Sequence, residues 1–166
     1  MGHEPGPTPP RLLKPQSGIK YDTIKTVVRI VLDTNVLVAG LRSNRGASFR
    51  LLSEIDSGLF ELCVSVPLIL EYEAALVRHA PTLSLSRRDI SDFLDYLCSV
   101  AKRQSIFFLW RPLLRDPGDD MVLEAAVSGG CRYIVTFNKR DFETTNPLPV
   151  RVATPQEFLR TIGVIK

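Results

Sequence analysis

No apolar run in this chain approaches the ~20 residues that a membrane-spanning helix needs. Cysteine is scarce, and Cys63, Cys98 and Cys131 are odd in number, far apart and set in apolar segments. That argues against a disulfide framework or a zinc site and for reduced core thiols. The opening segment MGHEPGPTPPRLLKPQSGIK lacks an apolar h-region, so no secretory signal is expected and the chain reads as cytoplasmic. Neither G-x-G-x-x-G nor G-x-x-x-x-G-K-[ST] occurs, which removes the usual sequence support for nucleotide binding. Internal repeats are missing too. A net charge of +3 is mildly basic, compatible with nucleic acid without requiring it.

What is present is enough for one folded domain: 166 residues, 45% of them hydrophobic. Residues 1–25 differ in composition, with Pro5, Pro7, Pro9, Pro10 and Pro15, and are expected to be a flexible arm. The domain proper is placed at residues 26–166. There, strand and helix patterns alternate. Strands are expected at Val27–Asp33, Leu59–Val66, Ile106–Trp110, Cys131–Phe137 and Val150–Ala153. Between them lie helices at Val36–Leu41, entered through Asn35, and at Ala47–Ser57, closed by Gly58. Others are a helix opened by Pro67, an amphipathic one behind Ser86 and Asp89, Asp119–Ser128, and a last one behind the capping box Thr154–Glu157. Such alternation means an α/β domain: three layers, a mainly parallel twisted sheet of about five strands, helices on both faces.

In sheets of this kind, ligands bind at the carboxyl ends of the strands. Just past the first expected strand comes Asp33, and one helical turn past the second comes Glu71. Past the third come Asp116, Asp119 and Asp120, and past the fourth come Thr136, Asn138 and Asp141. Each acid alone has a plain structural use. Asp33 could cap a helix, Glu71 could be a solvated helix residue, and Asp119 and Asp120 could offset a helix dipole. Their convergence on one edge is what favours a site. Clustered carboxylates raise one another's pKa unless a cation neutralises them. All-oxygen donors suit a hard ion, Mg²⁺ or Mn²⁺. Such ions beside basic side chains suit phosphodiester hydrolysis, and Arg42, Arg45, Lys139 and Arg140 are placed to hold a phosphate backbone.

The blocks VVRIVLDTNVLVAGL, LILEYEAAL, RDPGDDMVLEAAVSGG and YIVTFNKRDF, in this order, resemble the PIN-domain family, most closely its bacterial toxin components of toxin–antitoxin pairs. The likeness runs from Val27 to about Gly163. It implies a metal-dependent ribonuclease acting on RNA, an antitoxin protein as partner, and a homodimer. Carried over by position, Asp33 matches the family's first acid and Glu71 its second. The third falls on Asp119 or Asp120; Asp119 is preferred because Val122, Leu123 and Ala126 then follow on its helix face, with Asp116 assisting. The fourth position departs from the pattern, since Asn138 stands where many members carry Asp; Asp141 is the candidate substitute. Two other classes compete. One is a catalytically weak or inactive RNA-binding domain of the same fold, which Asn138 favours. The other is a phosphotransferase of the haloacid-dehalogenase type, which needs a second Asp where Asn35 stands.

Overall fold

The computed structural model describes residues 27–106, 114–143 and 148–166, and the proline-rich arm lies outside them. Five parallel strands form one sheet in the order β3-β2-β1-β4-β5. They are β1 (Val28–Leu32), β2 (Phe60–Ser65), β3 (Lys102–Gln104), β4 (Tyr133–Val135) and β5 (Arg151–Ala153). Ile30, Val31 and Leu32 of the central strand are fully buried. Both faces are covered there, so β1 reads as a continuous apolar run and not as an alternation.

Among the described residues six helices flank the sheet: α1 (Thr34–Arg42), α2 (Ala47–Ser53), α3 (Val66–Leu83), α4 (Arg87–Val100), α5 (Pro117–Ser128) and α6 (Pro155–Thr161). The two-residue period of β2 assigns them to faces. Phe60 meets Phe158 of α6 edge to face with ring centroids 5.5 Å apart, and Tyr133 lies equally near Phe158. Cys63 points the other way: a Cβ on Gly129, which ends α5, would stand 3.1 Å from its sulfur. So α6, with α2 against it, covers one face, and α5, with α3 against it, covers the other. The three-layer α/β reading holds.

Both expected capping boxes are present, Ser86 with Asp89 opening α4 and Thr154 with Glu157 opening α6. Several boundaries move. The second helix stops at Ser53 instead of Ser57, and Gly58 serves a turn further on with φ of +80°. The first helix begins at Thr34, with Asp33 and not Asn35 at its N-cap. The third strand among the described residues is Lys102–Gln104; of the expected strand Ile106–Trp110, residues 107–110 lie outside the described residues. An edge strand with one neighbour and a solvated side needs no apolar run, so charged Lys102 and Arg103 suffice.

Candidate active site

Strand order reverses between β1 and β4, whose carboxyl ends carry Asp33 and Thr136. In open parallel sheets that reversal leaves a crevice. Here it is a cleft of about 400 Å³, and its lining includes Asp33, Glu71, Asp116, Asp119, Asn138 and Asp141. Four separate chain segments thus bring acids or an amide to one place.

Asp33 is 6% exposed, the single residue between β1 and α1. It occupies the N-cap position without a side-chain cap bond. Its Oδ2 instead accepts a 2.6 Å hydrogen bond from Thr136 Oγ1. That hydroxyl is in turn approached by two donors, the Asn138 backbone N at 3.0 Å and Asn35 Nδ2 at 3.4 Å. A hydroxyl has one proton, and with donors on its other sides that proton goes to Asp33. Burial pushes the Asp33 carboxyl above its ordinary range. The Thr136 hydroxyl and the Thr34 and Asn35 amides partly offset this, and the charge of Asp141 adds to it.

Glu71 is half-buried on α3, which starts directly at the end of β2 with Ser65 as its N-cap. Next to it, the wholly buried Tyr72 donates its hydroxyl proton to the Leu32 carbonyl, tying α3 to the residue before Asp33. This anchor fixes how Glu71 faces Asp33.

Asp116 caps α5, its Oδ1 accepting from Gly118 N at 2.7 Å. Asp119 and Asp120 follow in the first turn but diverge. Asp119 lines the cleft, and its carboxyl is pushed up to about 7, first by burial and then by the charges of Asp33, Asp116, Asp141 and Asp120. Asp120 is 3% exposed and turned inward, accepting from Leu114 N at 2.9 Å. Consecutive helical residues point about 100° apart, and here Asp119 takes the cleft side while the Asp120 carboxylate is held inward by Leu114. Asp120 therefore lies outside it.

Of the four basic candidates, Arg42 alone lines the cleft. Lys139 is drawn away by Glu157, with its Nζ 3.0 and 3.2 Å from the two carboxylate oxygens. Arg45, in the loop after α1, and Arg140 are exposed and outside the lining. In their place stand Arg78 and His79 from α3, which the sequence reading passed over. Their signal was available: they follow Glu71 by seven and eight residues, a spacing that shares one helix face.

Among the described residues no three His, Cys, Asp or Glu side chains already form a cage for a metal ion. The chemistry of the donors nonetheless suits a hard divalent cation. The cleft gathers carboxylate oxygens, one carboxyl there is driven towards neutrality, and among the described residues none of the lining acids has an ion-pair partner.

The fold and site together are those of an open, parallel α/β domain with an acidic crevice at its reversal point. The PIN domain model matches residues 29–140, and the chain belongs to the PIN-domain family. Among solved structures, VapBC2 from Rickettsia felis, solved bound to a DNA fragment from its promoter, contains a chain of similar fold. The TM-score is 0.54 at 14% identity, over 75% of this chain and 97% of that one. No curated protein sequence matches. Among the described residues no helix is long and apolar enough to cross a membrane.

Proposed function

We propose that the protein is a metal-dependent endoribonuclease, the toxin of a toxin–antitoxin pair, which hydrolyses RNA phosphodiester bonds in this cleft. The observation that carries the reading is the meeting of Asp33, Glu71, Asp119 and Asp141, from four chain segments, at the reversal point of the sheet. Family membership supports nuclease chemistry, and the likeness to a VapBC2 chain supports an antitoxin partner.

Asp33, Glu71 and Asp119 would hold Mg²⁺ or Mn²⁺, with Asp116, Asp141 and the Asn138 amide oxygen at the rim. When bound, such a cation supplies a water of lowered pKa and offsets charge on the phosphoryl oxygens. The chain's own groups do the rest. Thr136 fixes the Asp33 carboxylate in one orientation, and Tyr72 fixes the helix that carries Glu71. The Asp119 carboxyl is pushed up to about 7 by burial and its acidic neighbours, so a cation held here would favour its deprotonated form. Single-stranded or looped RNA is the substrate, because its backbone is free to reach the acids of the cleft.

The test is cleavage of single-stranded RNA with Mn²⁺, Mg²⁺ or EDTA, by wild type and by Asp33→Asn and Glu71→Gln. Metal-dependent cutting lost in both variants, with the metal-free fold slightly stabilised by relief of charge repulsion, is the expected result. Wild-type rates in both would remove the catalytic assignment. A second reading, RNA binding without cleavage, is favoured by the uncharged Asn138; it predicts RNA affinity but no cutting with any divalent ion. Growth arrest on expression, relieved by the protein encoded beside this one, tests the toxin reading. Light scattering tests the homodimer that the family resemblance implies.

A further inference from the structure

The cleft has a cationic end as well as an acidic one, and the two helices that wall it are built alike. On α1, the lining residues Asn35, Val38, Ala39 and Arg42 recur at i, i+3, i+4 and i+7. On α3, the lining residues Glu71, Ala75, Arg78 and His79 recur at i, i+4, i+7 and i+8. Each stripe passes from a polar or acidic residue, over small Ala39 or Ala75, to an arginine two turns on. At ~1.5 Å rise per residue, that separation is ~10 Å along each helix. The two helices pack on each other, so both arginines border the same trough.

Among the described residues Arg42, Arg78 and His79 have no ion pair or side-chain hydrogen bond, whereas Arg29, Arg50 and Lys139 are each held by a glutamate. Ala39 and Ala75 leave the trough unobstructed between the acids and the Arg42, Arg78 and His79 side chains. The opposite flank is different. Lys139 is committed to Glu157, and neither it nor Arg140 enters the cleft.

Building on the ribonuclease reading, we infer that Arg42, Arg78 and His79 form a phosphodiester subsite that holds a backbone phosphate beside the scissile one, on one side only. The arginines supply charge-assisted forked donors to phosphate oxygens, and His79 supplies a further ring N–H. A cation-lined subsite set apart from the acids keeps the flanking phosphate clear of their repulsion. It also gives the bound strand a fixed polarity across the cleft.

Fluorescence anisotropy with a short labelled single-stranded RNA, in EDTA so that nothing is cut, reads the subsite without catalysis. The double variant Arg42→Ala/Arg78→Ala is expected to bind at least ~10-fold more weakly. Its log–log salt slope should fall by about 0.7, the value for one phosphate contact on a single strand. Arg132→Ala, at the exposed residue before β4 on the far edge of the sheet, should change neither. Unchanged affinity and slope in the double variant would overturn the subsite, as would no RNA binding by wild type. Walking one uncharged methylphosphonate linkage along the RNA should weaken wild type on one flank and leave the double variant indifferent. Equal sensitivity on both flanks would overturn the one-sided placement. Failure of the ribonuclease reading looks different: no cutting with any divalent metal, while RNA binding and its loss in the double variant persist.

Discussion

Thr136 donates a 2.6 Å hydrogen bond to Asp33, and these two residues end neighbouring strands 103 positions apart in the chain. The bond crosses the one gap in the sheet from which connections leave in opposite directions. It orients a buried carboxylate that no lysine or arginine neutralises among the described residues.

Replacing Thr136 by the near-isosteric Val removes that donor and leaves Asp33 buried with less to stabilise its charge. The expected loss of stability at neutral pH is about 1–3 kcal/mol, the usual cost of stranding a buried polar group. In acid, where Asp33 is protonated, the loss should shrink. Thr136→Ser keeps the hydroxyl and should retain most of the stability. Denaturant unfolding of the three proteins at neutral and acidic pH decides this; a loss in Ser with none in Val would mean that the methyl group, not the hydroxyl, matters.

The pH dependence of folding has a definite sign. Asp119 has its carboxyl raised from 3.8 to about 7 in the folded protein, and Asp33 is raised as well. Between those values the folded state binds more protons than the unfolded one, so stability falls as pH rises through that window. Asp119→Asn should flatten the slope, and saturating Mn²⁺ should do the same for wild type. Unfolding measured in EDTA across the window checks it; a slope that Asp119→Asn leaves unaltered would refute the crowding of charges at this site.

Asn138 is exposed at the rim of the cleft, with Asp141 in the 3-10 turn that follows. Asn138→Asp adds a carboxylate where the chain has only an amide, and should lower the Mn²⁺ concentration needed for half-maximal cleavage. Asp141→Asn should raise it. Activity titrated against Mn²⁺ tests both; no effect from Asp141→Asn would leave cation binding to Asp33, Glu71 and Asp119.

Gly40 sets the distance between α1 and α2. A Cβ there would stand 2.5 Å from Leu52 Cδ1 and 3.0 Å from the Ser48 carbonyl oxygen. Gly40→Ala gains about 1 kcal/mol of helix propensity, but overpacking a fully buried leucine costs about 1–3 kcal/mol. A net loss is therefore expected. A rise in melting temperature would show that Leu52 can repack at little cost.

The sequence exposed the parts of this fold that depend on local chemistry. The apolar run into Asp33, the Ser86 and Thr154 capping boxes and the Gly129–Gly130 stop each carry a residue type that few other conformations favour. It was weaker where structure depends on neighbours. Lys102–Gln104 becomes a strand only because β2 lies alongside. Nothing in RDPGDD tells Asp119 from Asp120 except the phase of a helix start, and α5 begins at Pro117, two residues before the expected Asp119. Lys139 looked like a phosphate ligand until Glu157 was found within reach of it. Arg78 and His79 become visible only when the residues sharing the helix face of Glu71 are counted along α3.

The two connections nearest the cleft have almost no length. One residue, Asp33, separates β1 from α1, and β2 passes into α3 with none between. In most proteins an extra residue between elements is absorbed as a slightly larger bulge. Here it would turn the following helix by about 100°, carrying Glu71 or the α1 stripe out of the trough while the hydrophobic sheet remained intact. The stretches around 43–46 and 84–86 have slack for insertions, and the junctions at 32–34 and 65–66 have none. Related chains can therefore vary in length around the outside of this domain but should be aligned without gaps through these two short joints.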